Sequence, residues 1–253
     1  MEITDRTIAL LVDSDNVSSD YFSIILDELS QYGKVTYRRL YGDFTNSKAN
    51  GWKSALLEYS IEQIQQVAYT TGKNATDSKM IIDAMDILYT GKVDCFCLAT
   101  SDSDFTSLAM RFRNDNLIVI GAGEKKTPSS FRKACDIFIP VDDLLNTKKQ
   151  QAKTAGKSQK KEPAAAPDDG IEKKRRNIIS IGKRILKDGA DTDGWMHFSA
   201  FMNEIWRKEN DFNPKLYGHE NSRPIPFFCS LKEKNKAVFQ LERQDKVDKI
   251  KIN

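Results

Sequence analysis

The sequence predicts an α/β protein built on a parallel sheet, followed by a smaller, basic unit of helices that closes in a hairpin. Three observations predict it. Short runs that are apolar throughout alternate with stretches at helical spacing, the pattern of strands buried on both faces by crossover helices. Acidic and carboxamide side chains follow directly on two of those runs, and open parallel sheets gather such groups at their carboxyl edge. Charge also divides the chain: residues 1–146 carry 15 Lys/Arg against 21 Asp/Glu, net −6, and residues 147–253 carry 24 against 15, net +9. At 253 residues, 40% apolar and 9% aromatic, the chain can bury a sizeable core in two domains.

The first run, residues 8–12 (Ile-Ala-Leu-Leu-Val), leads at once into Asp13, Ser14, Asp15 and Asn16 and reads as a central strand opening into a polar loop. Ser18 or Ser19 can cap a helix to Tyr32 with Phe22, Ile25, Leu26 and Leu29 on its apolar face, and Gly33 closes it. Residues 35–41 are alternating and β-branched or aromatic, as a strand is. The spacing then predicts an exposed turn at 46–51, a helix at 52–59, a short strand at 64–69 and a loop at 72–77. Over residues 78–90, Ile81, Ala84, Met85 and Leu88 form an apolar helical stripe with Asp77 at its start and Gly91 at its end. Residues 93–99 make the next buried strand, which delivers Asp102 and Asp104 to the sheet edge. A helix follows at 105–113, with Ser103 or Asp104 placed to cap it. A strand at 117–120, the loop 121–128 (Gly-Ala-Gly-Glu-Lys-Lys-Thr-Pro), a helix to Cys135 and a last short strand at 137–139 complete the first domain.

The acids carry the chemistry. Asp13 and Asn16 follow one strand and Asp102 and Asp104 another; a βαβ crossover starts the helix of Asp77 where its preceding strand ends, so Asp77 joins them. Four convergent carboxylates repel one another, Lys73 and Lys79 do not neutralise the set, and a divalent cation would. Oxygen ligands without His or Cys point to magnesium or manganese, and such sites hydrolyse phosphodiesters by activating a water and stabilising the leaving oxygen. Unrelated helix caps and turn formers are the competing reading of the same acids. Lys125 and Lys126, beside the helix start at Thr127 and Pro128, could hold a phosphate or remain a solvated pair. The four cysteines include no Cys-x-x-Cys pair and the chain has only His197 and His219 besides, so the cysteines read as reduced packing residues rather than zinc ligands. No run approaches the roughly 18 apolar residues that span a bilayer, and the N-terminus lacks the form of a signal peptide; a cytoplasmic location without a membrane partner is the expectation.

These residues resemble the NYN family, a branch of the PIN-like nucleases. Asp13 to Asn16 reproduce its Asp-x-x-Asn after the first strand, and Thr100 to Phe105 match its Ser-Gly-Asp-x-Asp-Phe loop with Thr and Ser in the first two places. Gly72 to Asp77 and Ile82 to Asp86 are similar to the family's central helix and its entry, so the resemblance covers residues 7–145. It implies a metal-dependent ribonuclease fold in which Asp13, Asp77, Asp102 and Asp104 are catalytic metal-site acids and Asn16 orients a ligand or water. Asp83 matches too, but six residues put it about 240° around the helix from Asp77, which leaves it supporting the site from behind or on the surface.

Residues 147–170 carry six lysines, five alanines and two prolines and read as a flexible basic linker between residues 1–146 and 171–253. Beyond it Ile178, Ile181, Ile185 and Leu186 share one helical face, Phe201, Ile205 and Trp206 mark a second helix, and Phe227, Phe228 and Leu231 a third. Alternation at 238–241 and 247–252 makes a closing hairpin; three helices and such a wing describe a winged helix. The segment resembles the LOTUS (OST-HTH) domain in Phe212 to Gly218, the Phe-bearing helix and the wing, from which Pro224 and Pro226 depart. The resemblance implies RNA, single-stranded or structured and including G-rich RNA, or a protein partner. Candidate RNA contacts are Lys73, Lys125, Lys126, Arg175, Arg176, Lys183, Arg184, Lys232, Lys234 and Lys236, and either domain could also carry a homo-oligomer or protein contact. The expected function is a Mg2+- or Mn2+-dependent (endo)ribonuclease with an RNA-docking C-terminal domain; the alternatives are a catalytically inactive RNA-binding adaptor and a protein-interaction regulator.

Overall fold

A computed structural model describes residues 6–45, 51–67, 75–155, 169–233, 236–244 and 247–253. The chain divides into two compact units, Met1–Leu145 and Asn146–Asn253. In the first, strands β1 (Thr7–Asp13), β2 (Lys34–Gly42), β3 (Glu62–Gln65), β4 (Cys95–Ala99), β5 (Ile118–Gly123) and β6 (Ile137–Pro140) form one sheet in the order β3-β2-β1-β4-β5-β6. Every pairing is parallel. The order reverses between β1 and β4, whose apolar residues are almost wholly buried because helices cover both faces. Helices α1 (Phe22–Leu29), α2 (Lys53–Glu58), α3 (Ala75–Tyr89), α4 (Thr106–Asn114) and α5 (Ser129–Ala134) make the crossovers. On one face Ala9, Leu11, Phe96 and Leu98 pack against Met80, Ala84 and Ile87 of α3 and Leu108 and Phe112 of α4.

A polar latch fixes α3 on that face. Arg39 and Tyr41, two apart on β2, both reach Asp83 of α3: Arg39 Nη1 donates to each carboxylate oxygen at 2.7 Å, and the buried Tyr41 hydroxyl donates to Oδ2. Arg39 Nε also donates to Glu62 of β3 at 2.7 Å. Asp83 is therefore an internal ion-pair partner on the sheet side of its helix.

The edges of several elements differ from the sequence expectation. β3 begins earlier, at Glu62; the expected strand over 64–69 and the turn over 46–51 fall partly outside the described residues. β5 runs on through Gly121, Ala122 and Gly123, which read as loop from composition. Glycine is required inside this strand because a Cβ at Gly121 would lie 2.7 Å from Cys135 Sγ. Of the expected linker 147–170, residues 147–155 continue helix α6 (Val141–Ala155) and the last two residues begin α7 (Asp169–Gly189), while residues 156–168 lie outside the described residues. Asp142 and Asp143 in the first turn of α6 favour its positive end, and the Leu, Lys, Gln and Ala that follow are strong helix formers.

In the second unit α7, α8 (Phe198–Lys208) and the short α9 (Pro224–Ser230) pack with a sheet of β7 (Met196–His197), β10 (Phe239–Gln244) and β11 (Val247–Ile252), ordered β10-β11-β7, while β8 (Lys232–Glu233) and β9 (Lys236–Ala237) form a separate pair. An aromatic cluster of Phe201, Phe212, Phe227, Phe228 and Phe239 fills it, with ring centroids 5.0 to 6.2 Å apart. Pro224 and Pro226 do not interrupt α9, because they lie in its first turn, where a missing N–H costs nothing. Cys95, Cys97 and Cys135 are buried and Cys229 is exposed, all unpaired with one another. Among the described residues no helix is long and apolar enough to cross a membrane.

Asp83→Ala should destabilise the chain by about 3 kcal/mol in urea denaturation, since it strands a largely buried guanidinium and a phenol, whereas Asp83→Asn, which keeps an acceptor for Tyr41, should cost about half as much.

Candidate functional site

At the reversal point Val12 of β1 pairs with Ala99 of β4, so the next residues on each strand, Asp13 and Thr100, meet. The Thr100 hydroxyl donates to Asp13 Oδ2 at 3.0 Å. Asp13 is fully buried, and a buried carboxylate must be satisfied by donors. Asn16 Nδ2 supplies one to Oδ2 at 2.6 Å and the Asp15 backbone N–H another to Oδ1 at 3.0 Å. Burial pushes the Asp13 carboxyl above the ordinary carboxylate range, and these three donors pull against that shift. Asn16, expected to orient a ligand or water, here holds Asp13.

Thr100 passes the order on. Its Oγ1 accepts the Asp102 N–H at 3.1 Å, and Asp102 Oδ1 accepts the Asp104 N–H at 2.9 Å. The second bond caps the 3-10 turn Ser103–Phe105 that opens α4. The cap is thus Asp102 rather than Ser103 or Asp104, because Asp102 holds the extended backbone, φ −92° and ψ 136°, that a cap residue needs. Asp77 stands in the first turn of α3, which packs on β1 and β2 and touches the 103–105 turn.

Among the described residues Asp77, Asp102 and Asp104 each offer a carboxylate oxygen within 4.8 Å of the others. Asp13 lies outside that triad, yet it is felt there. Partial burial raises the Asp77 carboxyl most, followed by the charges of Asp13, Asp102, Asp104 and Asp15, and together they push it up to about 6. Oxygen-only donors in a self-repelling group fit a hard divalent cation, with Asp77, Asp102 and Asp104 as the residues that could hold it.

The cationic candidates fare unequally. Lys73 and Lys234 lie outside the described residues. Lys126 Nζ is 2.7 Å from Glu124, and Lys125 donates its backbone N–H to Asp142 and sets Nζ 3.9 Å from Asp143, so both are drawn toward neighbouring acids. Arg175 donates to the carbonyls of Tyr217 and Gly218 at 2.7 and 3.2 Å and so staples α7 to a turn. Lys183 pairs with Glu233 at 2.6 Å, while Arg176, Arg184, Lys232 and Lys236 are exposed. Sequence reasoning missed Lys187 and Lys251: they join Lys183 and Arg184 around one groove, where Lys251 Nζ stands 4.4 Å above the Trp195 ring. Lys187 was findable, one turn after Arg184 on α7; Lys251 comes from a strand 64 residues on and gives no local signal. Thr100 was seen only as the first place of the matched loop motif and given no role, since an uncharged hydroxyl does not announce a hydrogen-bond relay.

The fold and the acids define a class, parallel α/β proteins with an acidic site at the carboxyl edge where the strand order reverses. The chain belongs to the NYN domain family, whose model matches residues 7–144. NYN domains are PIN-like nucleases, so the N-terminal unit has a nuclease-like fold and its acid cluster could bind a divalent metal. An uncharacterized protein of Methanocaldococcus jannaschii is 27% identical over 196 residues, 75% of this chain and 70% of its own. A match of that length cannot be confined to the NYN domain and runs on into the second unit. A crystal structure of a Vibrio parahaemolyticus protein of unknown function shares 22% identity with a TM-score of 0.46, covering 56% of this chain and 97% of that one.

The raised Asp77 carboxyl sets a pH dependence. Its folded-state pKa of about 6 lies above the unfolded value of 3.8, so the stability it contributes is full below pH 3.8 and is lost as the pH rises through about 6. In EDTA near pH 7.5 Asp77→Asn should therefore melt about 2–4 °C above the wild type, a gain near 1 kcal/mol after discounting for solvent screening at a half-exposed group. Near pH 4 the difference should close, and millimolar Mn2+ should reverse its sign by stabilising only the wild type.

Proposed function

We propose that the protein is a divalent-metal-dependent ribonuclease whose second unit docks RNA. The observation that carries the reading is the triad of Asp77, Asp102 and Asp104 at the carboxyl edge of a nuclease-like sheet. A Mg2+ or Mn2+ ion bound there would lower the pKa of a water and offset charge on the scissile phosphate. The protein's own residues set the stage for it. Asp13 anchors the floor through Asn16 and Thr100, Thr100 orients the backbone of Asp102, and Asp102 keeps one oxygen on the helix cap while the other is left for a ligand.

We assign the second unit a winged-helix, LOTUS-like role: three helices and the β10–β11 hairpin support it, as does the excess of positive charge after residue 146. Its docking surface is the groove of Arg184, Lys187 and Lys251 beside Trp195, with exposed Arg176, Lys232 and Lys236 as further phosphate contacts. Phosphates would meet the cations of this groove, which Asp191 and Asp193 also line.

Purified full-length protein should cleave single-stranded RNA with Mn2+ and not with EDTA, and Asp102→Asn should lower the rate by about 100-fold or more without unfolding the chain. A wild type that binds RNA but yields no products with either metal would establish an RNA-binding adaptor instead. For the second unit, the triple change Arg184→Ala, Lys187→Ala, Lys251→Ala should reduce the slope of log affinity against log salt by about 2, as expected for three lost single-strand phosphate contacts.

A further inference from the structure

We propose that Ser101 is a positioning residue whose hydroxyl joins the acidic β4–α4 loop to the lysine-bearing turn after β5. The inference rests on the metal-site reading for its functional meaning, though not for its geometry. The turn Glu124-Lys125-Lys126-Thr127 is closed by its own backbone bond, Thr127 N–H to Glu124 C=O at 2.9 Å. Ser101 Oγ sits across the mouth of this turn and binds both ends: it accepts the Glu124 N–H at 3.1 Å and pairs with the buried Thr127 hydroxyl at 3.1 Å. The backbones come close enough for this only because residue 123 is glycine. A Cβ there would lie 2.6 Å from the Thr100 carbonyl oxygen, 2.6 Å from Thr127 Oγ1 and 3.2 Å from Ser101 Oγ.

Ser101 stands between the two residues that set the site, Thr100 on its floor and Asp102 on its wall. Two of the triad's three acids leave this loop, and without a cation their mutual repulsion favours spreading. Thr100 restrains the loop on the β1 side and Ser101 on the β5 side, so Asp102 and Asp104 are held toward Asp77 before any ion arrives. The same hydroxyl fixes where Lys125 and Lys126 stand relative to the acids. One side chain thereby couples the proposed cation site to the nearest cationic turn.

The test compares full-length wild type, Ser101→Ala, Thr127→Val and the double variant by amide hydrogen exchange in EDTA and by Mn2+ titration calorimetry. Thr127→Val, which removes one of the two clasp bonds, should speed exchange of the Asp104 to Phe105 and Glu124 to Thr127 amides by about tenfold, the effect of one lost net hydrogen bond on a local opening; Ser101→Ala, which removes both, should speed it further, and the double variant should be no faster than Ser101→Ala. Exchange in the β4 core should stay as in the wild type, and Mn2+ affinity should fall about five- to tenfold. Unchanged loop exchange in Ser101→Ala, equal acceleration throughout the core, or additive effects in the double variant would each overturn the proposal. If the wild type binds no Mn2+ while the loop exchange changes as expected, the metal reading fails and the clasp stands; if Mn2+ binds equally to wild type and Ser101→Ala, the clasp's positioning role fails and the metal reading stands.

Discussion

The candidate site depends on one buried carboxylate. Asp13 ends a strand whose residues from Ile8 onward have no exposed surface, and a charge there is tolerable only if donors replace water. The donors come from its own turn, Asp15 and Asn16, and from the neighbouring strand, Thr100. Satisfying Asp13 therefore fixes the loop after β4 as well as the loop after β1. Because Thr100 in turn accepts the Asp102 N–H, a desolvation requirement at the floor propagates into the orientation of an acid on the wall.

The opposite wall is set by packing and an internal ion pair. α3 carries Asp77 at one end and Asp83 near its middle, and the two face different neighbours because six residues turn the helix well past half a circle. Asp83 is engaged with Arg39 and Tyr41 of β2, and Tyr41 is the register partner of Asp13 on β1. The floor of the site and the helix that brings Asp77 to it are thus tied to adjacent residues of the sheet. Asp77, whose carboxyl is raised by burial first and by the neighbouring acids after it, is kept beside those acids by elements whose positions are fixed elsewhere.

The sheet was legible in the sequence because strands buried on both faces leave unbroken apolar runs at 8–12 and 93–99, and the acids following those runs could be placed at one edge by topology alone. Boundaries were less legible where tertiary contacts override composition. Gly121 to Gly123 read as loop, yet they are strand because Cys135 and Phe138 leave no room for a Cβ at Gly121. Lysine-rich residues 147–155 read as tether, yet they continue a helix favoured by Asp142 and Asp143 at its start. Within the site, residues that bear charge announced their role, whereas Thr100 and Ser101, visible only as the first two places of a loop motif, did not show that they relay hydrogen bonds. The groove at Lys187 and Lys251 was hidden for a different reason: it is assembled from a helix, a turn and a strand that share no sequence pattern.

The loop 100–105 shows why a helix cap and a metal ligand need not be rival readings of one aspartate. A cap uses a single acceptor, and Asp102 gives Oδ1 to the Asp104 N–H. A carboxylate has a second oxygen, and the cap bond, by fixing the side-chain torsions, decides where that oxygen points. The Thr100 bond fixes the backbone from which the side chain springs, and the Ser101 clasp fixes the loop that carries it. Capping is then part of how the acid is aimed: the same extended backbone that suits Asp102 to begin a helix holds its carboxylate within reach of those of Asp77 and Asp104.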